Sequence, residues 1–95
     1  MKLGLYSLFD ELSGVYLAPF VARGHVEAVR QIRAVFEDPS MAKAAIVTNP
    51  GDFSLRRIAS FDDETGVVEL DRADVGRISA LRSRWSSPAS DVEAV

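Results

Sequence analysis

The chain has no cysteine. Disulfide frameworks, thiolate zinc sites and thiol nucleophiles are therefore excluded, and the absence fits a reducing compartment. Histidine is almost missing too: His25 stands alone, so no second imidazole can join it as a metal ligand, and a solvated helix-start residue is its ordinary reading. No glycine-rich phosphate loop exists, the six glycines being scattered as turn formers. No apolar run approaches the roughly 20 residues of a membrane-spanning helix. The apolar opening of the chain is broken by Asp10 and Glu11 and has no basic region leading into it, which argues against a secretory signal. These absences predict a soluble, intracellular chain with no membrane partner, no metal, no cofactor and no catalytic set.

What is present is ordinary for a globular protein: 47 % hydrophobic and 26 % charged residues. Ninety-five residues make one small core, and domains of this size often lean on self-association. Eleven basic against fourteen acidic residues give a net charge of −3, so a basic surface cannot cover the whole molecule, although local patches can form. Nine of the eleven cations are arginines, Lys2 and Lys43 being the exceptions.

Residues 2–9 and 15–21 read as two strands joined by a turn at 10–14, where Gly14 can take a positive φ. Pro19 cannot donate to a ladder and belongs at an edge or a bulge. Val26, Val29, Ile32 and Phe36 recur at spacings of three and four and predict a helix over 24–36, ended by Asp38-Pro39. Residues 40–45 fit a helical turn or an extended connector, and 46–48 look extended before the turn signals of 49–52. A strand over 53–61 loses its alternation at Ile58, which calls for a bulge or for burial on both faces. The turn at 62–66 then folds it onto 67–70. The fold class that follows is α+β: a small antiparallel sheet of two hairpins packed on one central helix. Residues 1–70 form the core domain in this reading. Residues 71–95 form a C-terminal segment, helical over 71–85 and ending in a short tail, that serves oligomerisation or partner binding.

The chemistry-bearing residues are few. Asp62, Asp63 and Glu64 lack the alternating spacing of a calcium loop and fall where a turn is expected. Arg30 and Arg33 on the helix, with Arg56 and Arg57 on a strand, are candidates for phosphate contacts. Tyr6 and Tyr16 are candidates for stacking on unpaired bases, although most aromatics in so small a domain are needed as core. Val75, Ile78, Leu81 and Trp85 would line one side of the C-terminal helix, either docking on a partner or packing back on the sheet.

Several blocks carry a family resemblance: Leu5-Tyr6-Ser7-Leu8-Phe9-Asp10 with Ala18-Pro19-Phe20, then Ala28-Val29-Arg30, then Asn49-Pro50-Gly51-Asp52-Phe53-Ser54-Leu55 running into Arg57-Ile58-Ala59-Ser60-Phe61-Asp62 and Thr65-Gly66. Over residues 5–69 the chain resembles the small non-structural protein of gokushoviruses, microviruses with circular single-stranded DNA genomes. It departs at Ala59, where the family pattern has glycine, and at Arg56 or Arg57, where an aromatic is common. The resemblance implies a non-capsid phage protein of the host bacterial cytoplasm, acting in genome replication at the switch to single-strand synthesis and packaging. It brings no catalytic residues.

The expected function is a non-enzymatic accessory protein that binds single-stranded DNA as a homo-oligomer, repetition of a weak basic patch offsetting the unfavourable net charge. The alternative is an adaptor that engages the phage replication initiator, the procapsid or a host factor without touching DNA. One continuous arginine face would favour DNA; arginines paired with Glu27, Glu37 and Asp71 would favour the adaptor. A packaged virion component would be more basic than this chain.

Overall fold

Strand β1 (Lys2–Asp10) is the axis of the sheet. Along one side it pairs antiparallel with β2 (Val15–Tyr16) and β3 (Phe20–Ala22), and along the other with β4 (Phe53–Asp62). β4 in turn pairs antiparallel with β5 (Val68–Arg77), which completes five strands. Three helices, α1 (His25–Glu37), α2 (Ala45–Thr48) and α3 (Ile78–Trp85), make the protein mixed α+β, as its sequence predicts. The computed structural model describes residues 1–85, and the tail expected over 86–95 lies outside them.

The pleat sends alternate residues to opposite faces. Tyr6, Phe53 and Leu55 point to the face that carries the core, where they meet Ala22 of β3, Ala28 and Ile32 of α1, Ile46 of α2, and Ile78 and Leu81 of α3. Tyr6 is fully buried, its ring stacked on Phe20 with centroids 6.1 Å apart. The ring lies back over Gly4, and a Cβ at that position would collide with Tyr6 Cε1. Only glycine fits beneath it. On the reverse face Ser7 is also buried, its Oγ donating to the Leu17 carbonyl at 2.6 Å.

The expected second strand is split in two. Leu17 N–H still donates to Leu8 O at 2.8 Å, the ladder lapses at Ala18-Pro19, where proline has no donor, and β3 resumes the pairing at Phe20. The interruption at Ile58 is a bulge, as its broken alternation predicts: Tyr6 faces Arg57 and Leu5 faces Ala59, leaving Ile58 the extra residue.

Two expectations are corrected. Residues 46–48 are helical rather than extended, forming most of α2. The Ala44 carbonyl accepts from both Val47 N–H and Thr48 N–H at 3.0 Å, and the turn buries Ile46. The β preference of Ile, Val and Thr spans only about 1 kcal/mol and yields to that burial. Residues 71–77 are strand rather than helix. β4 is ten residues long, and its backbone groups need a partner along their whole length, so β5 continues through Gly76 opposite Leu55 and Arg77 opposite Ser54 before the chain turns into α3. Val75 therefore sits on a strand, not on the helix stripe proposed for it.

Candidate nucleic-acid interface

Helix α1 begins without a side-chain cap, because Gly24 occupies the N-cap position. The Glu27 carboxylate at the third helical position reaches back and accepts from Arg23 N–H at 2.7 Å, fixing the loop that enters the helix. Val26, placed on the apolar stripe by its spacing, is 59 % exposed, since the helix buries its Ala28 and Ile32 side instead. The helix start thus leans out over the end of the sheet and leaves an open basin of about 990 Å³. Its floor is Lys2, Gly4 and Tyr6 of β1 with Arg57 and Ser60 of β4; its wall is Arg23 to Glu27 and Arg30.

Four cations, Lys2, Arg23, Arg30 and Arg57, line this basin against two carboxylates, Glu27 and Asp71, leaving a net +2 in a chain whose total is −3. The first amides of a thirteen-residue helix, and the positive end of its dipole, open into the same space. Arg57 is held in place by Asp71, donating from Nε to its carbonyl and from NH2 to its carboxylate, both at 3.1 Å. Lys2 has Glu69 4.0 Å away across the sheet. Arg23 forms no ion pair with a described residue. Beneath the cations, Tyr6 Oη and His25 Nδ1 share a 2.8 Å hydrogen bond, with the rings edge to face. Burial pushes the Tyr6 phenol above its ordinary pKa, and the neighbouring Arg57 guanidinium offsets part of that rise.

The sequence-predicted residues divide between two faces. Arg30 and Arg57 meet in the basin. Arg33, one helical turn on, lies off it and pairs with Glu37 at 3.9 Å. Arg56 and Tyr16 stand on the opposite face of the sheet. There Arg56 lies 4.3 Å above the Phe9 ring, donates to Tyr16 Oη at 3.1 Å and has Glu11 3.7 Å away. This cation holds the Tyr16 phenol below its ordinary value. Arg72 and Asp74 border the same cluster in a hollow of about 260 Å³. Tyr6 cannot stack on a base, because it is part of the core.

The partner-binding stripe is likewise revised. Ile78 is fully buried and Leu81 nearly so in the molecule's own core, while Trp85 packs edge to face on Phe36 at 5.3 Å. A helix whose apolar side is already covered has nothing of it left to dock. Sequence reasoning missed Lys2 and Arg23 as members of the basin: Lys2 lies far from Arg30 along the chain, and only the β1–β4 register and the entry angle of α1 bring them together. Among the described residues no group of three His, Asp or Glu is placed to hold a metal ion, and no helix is long and apolar enough to cross a membrane.

A family model for the phage ORF5 protein matches residues 3–81. The chain belongs to the phage ORF5 protein family. The matched span runs from β1 into α3, so it takes in the sheet and the basin except for Lys2, and it extends past the 5–69 region on which the gokushovirus resemblance rests. No curated protein and no solved structure matches the chain.

Proposed function

We propose that this phage ORF5 protein is a non-enzymatic accessory factor of viral DNA replication that holds single-stranded DNA by its phosphates in the basin at the start of α1. The observation that carries this reading is the +2 charge gathered there from β1, β4, β5, α1 and the loop before α1 in an acidic chain. Phosphate contacts of this kind give affinity without sequence preference. The openness of the basin suits a flexible strand, which can bend its phosphates toward the helix start. The resemblance to the gokushovirus non-structural proteins supports a place in the host bacterial cytoplasm, at the switch from duplex replication to single-strand synthesis and packaging.

Two pairings favour the adaptor as a second reading. Arg33 is matched to Glu37 and Arg57 to Asp71, both within 4 Å, so part of the arginine surface is neutralised locally. In that reading the protein engages the replication initiator, the procapsid or a host factor.

Fluorescence anisotropy of labelled single-stranded and duplex oligonucleotides, titrated at low and moderate salt, separates the two. The DNA reading predicts binding that prefers the single strand and weakens steeply with salt. An absence of binding at low salt, where electrostatic attraction is strongest, would leave the adaptor.

A further inference from the structure

The core occupies one face of the sheet, and the other face carries an apolar surface that the fold covers only in part, Ser7 and Ala59 being buried and the outer strands exposed. Residues paired across strands share a face. The register therefore sets Val21, Leu5, Ala59 and Leu70 in one row across four strands, with Leu3, Phe61 and Val68 in the next. None of these packs into the core beneath α1 and α3. Leu70 is 77 % exposed, Val68 57 % and Val21 42 %. No charged side chain interrupts the two rows. We propose that this face is the docking surface for a second copy of the chain, the two sheets stacking face to face.

Three observations select a second copy as the occupant. A sheet with an apolar face buries it against another layer, and stacked sheets about 10 Å apart are the standard all-β solution. Among the described residues α1, α2 and α3 all pack on the core side, Trp85 against Phe36 included, so no described helix covers this face.

Size is the third. Four strands about 4.8 Å apart, over the seven residues from Leu3 to Phe9 at about 3.3 Å each, give roughly 440 Å² of plane per copy. Two copies offer roughly 900 Å² before side-chain relief is counted, below the about 1,200 Å² at which standard specific interfaces begin and in the range of weak, transient ones. Beyond the apolar rows the face ends in Arg56 and Arg72 beside Glu11 and Asp74, so cations and carboxylates of two copies can interleave rather than repel. Such an interface forms and dissolves with concentration instead of being obligate. It leaves both basins outward, on opposite sides of the pair, and it does not depend on the DNA reading.

Sedimentation velocity from about 1 to 100 µM, a range that brackets the micromolar affinity of a small interface, tests the proposal. The wild-type chain is expected to shift from monomer to dimer. Leu70→Glu and Val68→Glu, both at exposed positions, are expected to stay monomeric at every concentration with unchanged circular dichroism. Leu12→Glu adds the same charge at an 80 % exposed turn position and is expected to keep the dimer. If one glutamate variant on β5 loses its fold, the other decides. A wild-type monomer throughout, a dimer that survives in Val68→Glu or Leu70→Glu, or one that Leu12→Glu also abolishes would each overturn the proposal.

Discussion

Tyr6→Ala is expected to lower the unfolding free energy by about 3–5 kcal/mol, the cost of deleting a buried aromatic ring. Small domains hold only about 5–15 kcal/mol in total, and one of this length sits toward the lower end, so much of the variant population should be unfolded at room temperature. Tyr6 is singled out because it is fully buried, joins β1 to β3 through Phe20 and carries the floor of the basin through His25. Tyr6→Phe retains the ring and the stacking and loses only the hydrogen bond to His25, so it should cost about 1 kcal/mol. Urea denaturation followed by circular dichroism measures both. A loss below about 1 kcal/mol for Tyr6→Ala would mean that the core is not organised around this ring.

Much of the fold was legible in the sequence because its signals are local. The Val26, Val29, Ile32 and Phe36 spacing predicts α1, although Val26 itself is exposed, Asp38-Pro39 predicts its end, and the misplaced apolar residue Ile58 calls for a bulge or for burial on both faces, of which the bulge is found. The failures share a physical cause: each was decided by a distant partner. Residues 71–77 mix charged and small side chains, a pattern that fits an exposed strand as well as a helix, and only the length of β4 settles the matter. Ile46, Val47 and Thr48 have strand preferences that a tight connection overrides.

The site was legible by half. Arg30 and Arg57 could be named from charge alone, whereas Arg56 carries the same charge but a single pleat step sends it to the opposite face, over Phe9. Tyr6 is a stacking candidate on the strength of its polar handle, and its burial beneath α1 depends on the β1–β3 pairing, which no local signal gives.

Arg23→Ala combined with Arg30→Ala is expected to weaken single-stranded DNA binding at low salt roughly thirtyfold, from about 1 kcal/mol for each charged contact removed. Loss of two phosphate contacts should also flatten the slope of log affinity against log salt by about 1.4, at about 0.7 per contact. Both positions are exposed, so the fold should be unaffected. Arg33→Ala removes an arginine from the same helix but off the basin, and its affinity should stay within about twofold of wild type, as for a surface ion pair. Equal losses in Arg33→Ala and Arg30→Ala would point to diffuse attraction by the whole helix. Anisotropy titrations at several salt concentrations provide both the affinities and the slopes.

The claim that phosphates lie in the basin is tested most directly by following backbone amide resonances of the isotopically labelled protein as a short single-stranded oligonucleotide is added. The predicted perturbations cluster at Gly24, His25, Val26 and Glu27 at the start of α1 and at Arg57 and Ser60 on β4, the residues that surround the space between the cations. Perturbations confined to Phe9, Tyr16, Arg56 and Arg72, on the far side of the sheet, or no perturbation at low salt, would contradict the account.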